Sequence, residues 1–191
     1  MRSYHDEIDG RDKELVAAAK QGDTTAMDHL LRSHYDHIYR VCLRIMGNES
    51  DGADATQHAL LAVVNGLSRF DGRSQFSTWS YRVATNAALD ELRRRNRRPV
   101  PVLDQTDSEP NPVDFERNLV DRLDIGDALP LVPDEFRVPV IMRDQVGMSY
   151  EEIAQALQIA PGTVRSRIAR GRRRLAQLLG NQTTSSERPS G

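Results

Sequence analysis

The sequence predicts an all-α protein of two small helical domains joined by an extended linker, and three observations carry that prediction. Strand-like alternation is nearly absent, while apolar residues recur at helical spacing along most of the chain. At 191 residues the chain is long for one compact helical unit and comfortable for two. Between the two, Pro99, Pro101, Pro110 and Pro112 fall in one short polar stretch whose backbone cannot continue a helix.

The first unit spans residues 12–98. A short helix around Leu15 to Ala19 is expected to pack on three longer ones. Asp23 suits the N-cap of a long helix and Gly47 its C-terminal stop, with Met27, Leu31, Tyr35, Ile38, Cys42 and Ile45 as the apolar face. The next helix is expected over residues 51–67, with Leu60, Val63, Val64 and Leu67 as its apolar side. Phe70-Asp-Gly-Arg-Ser74 has the turn chemistry to break it. A further helix over residues 76–95 is expected to bury Phe76, Trp79, Val83, Ala87 and Leu92. The linker occupies residues 99–113.

The second unit spans residues 114–179, with helices expected over 115–129, 134–145, 150–157 and 161–179. Pro139 falls inside the second and predicts a local bend or a lost hydrogen bond. The strongest local signal runs from Ser149 to Ile168. Ser149 and Glu152 have capping-box spacing. Pro161 suits the first position of a new helix, which needs no amide there. Val164, Ile168, Leu175 and Leu178 form an apolar stripe that docks this helix. That leaves Arg165, Ser166, Arg167, Ala169, Arg170, Arg172, Arg173 and Arg174 facing outward. A short helix, a tight turn and an arginine-faced second helix fit a helix-turn-helix that reads a DNA groove. Residues 180–191 are polar and are read as a disordered tail.

Net charge is −2, but the distribution matters more to a polyanion than the average. Residues 104–127 carry a net −6 and residues 163–174 a net +6, and a second basic block holds Arg93, Arg94, Arg95, Arg97 and Arg98. Two basic blocks separated by an acidic stretch point to two DNA contacts. Lys13 and Lys20 are the only lysines, and arginine forks onto phosphate and guanine better than lysine does. No run of about eighteen apolar residues suggests a membrane span. The first residues lack the apolar core of a signal peptide, which predicts a cytoplasmic protein with no membrane contact of its own. The single cysteine, Cys42, excludes an intrachain disulfide. No phosphate loop, catalytic triad or paired-acid spacing appears, so neither an enzyme nor a cofactor is expected.

Further motifs occur in order: Gly22-Asp23 with Ala26, Asp51-Gly-Ala-Asp-Ala-Thr-Gln57, Phe70-Asp-Gly-Arg-Ser-Gln-Phe-Ser-Thr-Trp79, Tyr81-Arg-Val-Ala-Thr-Asn86 and Asp90-Glu-Leu-Arg-Arg-Arg95. They resemble the sigma-2 domain of extracytoplasmic-function sigma factors of the sigma-70 family. Leu129 with Pro133, Arg137 and residues 149–178 resemble sigma-4 of the same family. The resemblance implies a sigma factor that directs promoter recognition and melting by core RNA polymerase. It implies that Asp54, Gln57, Leu60, Leu61 and Val64 dock on the clamp helices of the beta-prime subunit, with the beta flap as a second polymerase contact. Phe70, Arg73, Ser74, Trp79, Arg82, Asn86, Arg93 and Arg94 are implied for the minus-ten element. There the loop at residues 70–76 with Asn86 would hold a base flipped from the duplex. Arg165, Ser166, Ala169 and Arg170 would approach minus-thirty-five bases, with Arg167 and Arg173 on phosphate. An anti-sigma factor is the further partner the resemblance implies. His58 and Leu60 depart from the acidic residue and phenylalanine usual after the glutamine.

Two other readings compete. A plain helix-turn-helix activator explains residues 149–178 but leaves the motifs at residues 70–95 without a role. A metal site among His29, His34, His37 and Cys42 would draw every ligand from one helix, whereas zinc ligands usually come from more than one element; no metal is expected.

Overall fold

The structure, a computed structural model, describes residues 4–97 and 124–180. In the N-terminal unit, α1 (Tyr4–Lys20), α2 (Thr24–Met46) and α3 (Glu49–Gly66) are followed by a 3₁₀ turn (Leu67–Arg69) and α4 (Phe76–Arg97). In the C-terminal unit, α5 (Ile125–Ala128) and a 3₁₀ turn (Leu129–Leu131) lead into α6 (Asp134–Asp144), α7 (Tyr150–Leu157) and α8 (Pro161–Gly180). No strand occurs among the described residues. The linker at residues 99–113, most of the helix expected over 115–129 and the tail beyond Gly180 lie outside the described residues.

Local chemistry places the helix ends. Asp23 Oδ1 accepts from the amides of Thr25 (2.9 Å) and Ala26 (3.0 Å), starting α2. Gly47 ends it in the left-handed region at φ 79°, its amide donating to the Leu43 carbonyl. Asn48 caps α3 by accepting from the Asp51 amide at 2.9 Å. At the start of α7, Ser149 Oγ accepts from the Glu152 amide (3.1 Å) and Glu152 Oε2 from the Ser149 amide (2.7 Å), the capping box expected from the spacing.

The helix faces differ in detail from the expected stripes. α2 turns Leu30, His34, Ile38, Val41, Cys42 and Ile45 inward, while Tyr35 is 44% exposed. A buried hydrogen bond permits the rotation: His34 Nε2 donates to Asp12 Oδ2 at 2.8 Å, and both side chains are buried. Asp12 belongs to α1, which starts at Tyr4 and is far longer than the short helix expected around Leu15 to Ala19. α4 buries Ser80, Ala84, Ala88 and Leu89 beside Phe76 and Leu92, leaving Trp79, Val83 and Ala87 half-buried. Small residues there let helices approach closely. A Cβ at Gly52 would lie 2.9 Å from the Leu43 Cα. In the C-terminal unit a Cβ at Gly171 of α8 would lie 2.7 Å from the Phe136 carbonyl oxygen of α6. Pro139 sits inside α6 and is buried.

The two units pack against each other through α2 and α6. Ile38, Val41 and Ile45 share one continuous buried cluster with Val138, Ile141 and Met142. At this seam lies Arg137, only 3% exposed. Its Nη2 donates to the Ile45 carbonyl across the seam (3.0 Å), and its Nη1 donates to the Val132 carbonyl (3.1 Å) within its own unit. Asp134 pairs with it at 2.8 Å. Burial pulls the guanidinium down from the ordinary arginine value, and Asp134 opposes that pull.

Candidate nucleic-acid interface

The loop at residues 70–76 borders a cavity of about 320 Å³. An aromatic cluster floors this region: Phe70, Phe76 and Trp79 have ring centroids 5.1–6.0 Å apart. Trp79 also lies against Gly66, where a Cβ would come within 3.2 Å of the indole. Its ring therefore packs into the cluster. Gly72 takes φ 74°, a left-handed conformation that suits glycine. Asp71 Oδ1 accepts from the Arg73 amide at 3.1 Å and holds the turn.

The opposite wall of this cavity is α1, with Asp12, Lys13, Val16, Ala17 and Lys20. Lys20 Nζ donates to the Phe70 carbonyl at 2.6 Å, tying the loop to α1. Sequence reasoning missed these residues; the two lysines of an otherwise arginine-based chain were the available signal. Ser74 lines the cavity, whereas Asn86 does not. Asn86 is exposed on α4. It shares an α4 face with Arg82 and Arg93, at i, i+4 and i+11. Arg73 is exposed and pairs with Asp71 at 3.2 Å. Arg94 is exposed and pairs with Glu91 at 3.3 Å.

α3 presents a second surface. Asp54, Gln57, Leu61 and Val64 are exposed and fall on one helical face. Leu61 is 60% exposed and Val64 39%, an apolar strip that nothing among the described residues covers. Leu60 is half-buried and packs against the core, so it differs from its neighbours.

α8 presents the third. Val164, Ile168 and Gly171 are buried against the unit, with Leu175 and Leu178 half-buried. Arg165, Ser166, Ala169, Arg170 and Arg173 are exposed. The Arg165 guanidinium lies 5.5 Å from the Tyr150 ring centroid and that of Arg170 lies 6.0 Å from Phe136, so aromatic faces steer both. Arg167 is half-buried and pairs with Glu135 at 3.5 Å. Arg172 pairs with Asp144 at 2.5 Å, and that hydrogen bond raises its pKa further.

His34 and His37 take structural places. His34 serves Asp12, and His37 stacks on Tyr81 with centroids 4.0 Å apart. Among the described residues no three His, Cys, Asp or Glu side chains gather as a metal site, and no helix is long and apolar enough to cross a membrane. Cys42 is buried, and desolvation pushes its thiol up to about 11.

A capped helix-turn-helix with an arginine face, packed on a four-helix unit that carries an exposed apolar strip, defines a DNA-binding protein built to engage a second macromolecule. The family models agree: Sigma-70 region 2 matches residues 30–98, and Sigma-70, region 4 matches residues 122–175. The chain is 37% identical over 171 residues to the ECF RNA polymerase sigma factor SigE of Mycolicibacterium smegmatis, covering 85% of this chain and 66% of that relative. It is 36% identical to the ECF RNA polymerase sigma factor SigM of Mycobacterium tuberculosis, covering 91% of this chain and 87% of that relative. Among solved structures it shares the fold of the sigma factor RpoE in complex with the anti-sigma factor NepR from Bartonella quintana. That match has a TM-score of 0.53 and 21% identity, over 80% of this chain and 96% of that one. This chain belongs to the extracytoplasmic-function sigma factors of the sigma-70 family.

Proposed function

We propose that the chain serves as a sigma subunit of RNA polymerase, directing promoter recognition and melting from the cytoplasm, and that it is not an enzyme. The observation that carries the reading is the separation of labour on one surface set: an apolar strip on α3, a nucleobase-sized cavity beside the 70–76 loop, and an arginine face on α8. The N-terminal unit, residues 12–98, takes the polymerase and the minus-ten element. The C-terminal unit, residues 114–179, takes the minus-thirty-five element, with residues 99–113 as the connection. Asp54, Gln57, Leu61 and Val64 dock on the clamp helices of the beta-prime subunit, with Leu60 supporting them from the core side, and the C-terminal unit meets the beta flap.

At the minus-ten element, the cavity between α1 and the loop receives a flipped base, with Ser74 and Lys13 offering polar groups and Phe70 and Phe76 an apolar wall. Extruding the base costs a few kcal/mol, which a fitted pocket offsets only on opened DNA. Arg73, Arg82, Arg93 and Arg94 hold phosphates, Asn86 adds a polar contact on the α4 face, and Trp79 buttresses the loop. At the minus-thirty-five element, Arg165, Ser166, Ala169 and Arg170 approach bases while Arg167 and Arg173 sit on phosphate. An anti-sigma factor is a further partner, in keeping with the neighbouring sigma factor solved with one.

The test is reconstitution with core RNA polymerase followed by transcription from a genomic promoter library. Stable core binding and initiation at a shared promoter class are expected. A folded chain that binds promoter duplex but not core polymerase is a helix-turn-helix activator instead.

A further inference from the structure

Resting on the sigma-subunit reading, we infer that Asp12 is a specificity-determining residue: its carboxylate selects a flipped base whose pairing edge carries an exocyclic amine. Four of the residues lining the cavity beside the 70–76 loop are buried: Asp12, Val16, Phe70 and Phe76. The other lining residues are exposed. Asp12, 6% exposed, is therefore the polar side chain of an otherwise apolar floor. The other charged groups of the wall are already engaged. Asp71 Oδ1 accepts from the Arg73 amide and its Oδ2 pairs with the Arg73 guanidinium at 3.2 Å. Lys20 donates to the Phe70 carbonyl.

His34 fixes this carboxylate from behind. Its Nε2 donates to Asp12 Oδ2 at 2.8 Å, and Tyr81 Oη lies 3.4 Å from its Nδ1. A neutral imidazole that donates from Nε2 accepts at Nδ1, so the Tyr81 hydroxyl donates there and sets the tautomer. Burial first, and then the charge of Asp12, push the Tyr81 phenol above its ordinary value, which keeps that proton in place. The Phe76 ring meets the imidazole edge-on with centroids 5.1 Å apart, so one ring both walls the cavity and holds His34. Residues of α1, α2 and α4 thus converge on Oδ2 and leave Oδ1 to the cavity; among the described residues no other group bonds to Asp12. An ionised carboxylate is an acceptor only, and acceptor capacity left unused in an apolar floor is costly. The exocyclic N–H of cytosine or adenine satisfies it. The oxygen at the same position of uracil or hypoxanthine meets it lone pair against lone pair. That edge is free only after the base leaves the duplex, so the selection acts on opened DNA.

The test measures binding of the full chain to short fluorescent single strands of deoxycytidine and of deoxyuridine. Their backbones are identical, so the phosphate contribution cancels and only the amine-for-oxygen exchange remains. The wild type should bind the cytosine strand at least about five-fold tighter, the lower end of what one well-placed base contact discriminates. Strands of deoxyadenosine and deoxyinosine should rank the same way. In Asp12→Asn, His34 claims the amide oxygen and turns the NH₂ group toward the cavity, so the order should reverse in favour of uracil. In Asp12→Asn with His34→Phe the amide is no longer held one way, and the two affinities should converge. Equal affinity of the wild type for the two strands overturns the assignment without any variant. An Asp12→Asn chain that weakens on both strands by the same factor marks Asp12 as structural and overturns it too. A reversed order that survives His34→Phe overturns the part given to His34. Because these measurements use the chain without polymerase, a failure of the sigma reading would appear separately, as a loss of core binding in gel filtration.

Discussion

Arg137 and Gly47 form a pair whose coupling can be measured. Gly47 ends α2 at φ 79°, and a Cβ built there would meet Arg137 Nη2 at 2.9 Å and its Cζ at 3.2 Å. The glycine thus provides both the left-handed cap and the seat for a guanidinium from the other unit. Arg137→Ala strips the donors from the Ile45 and Val132 carbonyls, which lie 3.0 and 3.1 Å from its nitrogens. Each buried acceptor left unpaired costs about 1–3 kcal/mol, so a loss of about 2–6 kcal/mol is expected for the two. Asp134 is 38% exposed, so water can take over its side of the ion pair and it adds little. Gly47→Ala costs about 1–2 kcal/mol for the left-handed conformation alone, and the displaced guanidinium adds to that. In the double variant the guanidinium is gone and its clash with it. The double variant should therefore be more stable than the sum of the two losses predicts, by at least about 1 kcal/mol. Urea unfolding of the four proteins, followed by circular dichroism with m-values compared, reads the cycle. Additivity within about 0.5 kcal/mol would refute the contact across the seam.

Three further outcomes are expected. The His37 pKa is lowered from 6.5 by burial first and then by Arg40, His34 and Arg44, so the folded state favours the neutral ring. The stability it contributes is present above pH 6.5 and is lost as pH falls through the lowered folded value; His37→Phe should show a smaller drop in Tm between pH 7.5 and 5.5, and an equal drop counts against the assignment. Arg165→Ala or Arg170→Ala should change minus-thirty-five base preference by about 1–3 kcal/mol, while Arg173→Ala should weaken all sequences alike and flatten the salt dependence; competition binding separates these, and the same loss on every sequence for all three would erase the division. Ala17→Leu, which fills the cavity from an exposed α1 position, should lower open-complex formation several-fold at unchanged core binding, whereas Asn86→Ala should act more weakly; the reverse order in a permanganate footprint would return the base-reading role to Asn86.

The features legible from sequence are those whose partners lie within about four residues. Asp23, Gly47, the Ser149–Glu152 box and Pro161 each act on their own helix end, so spacing alone suffices to place them. The helical stripes were less legible because α2 and α4 carry small or apolar residues around wide arcs. On α2, the apolar spacing places Tyr35 inside and leaves His34 off the stripe. Burial of His34 depends on Asp12, twenty-two positions away on a helix whose length the polar N-terminal residues concealed. Gly52 and Gly171 are places where a neighbouring helix comes within touching distance, which no local spacing announces.

The interface was legible as residue types and not as partners. Arginine at positions 82 and 93 signals a surface that seeks negative charge, but charge alone does not say whether phosphate, a carboxylate or a helix end supplies it. A guanidinium bonds to all three, more strongly to the two charged groups than to the carbonyls of a helix end. Glu152 read as a capping residue because its partner in the box is three positions away. Its other partner, Arg82, is seventy positions away and depends on how two units meet.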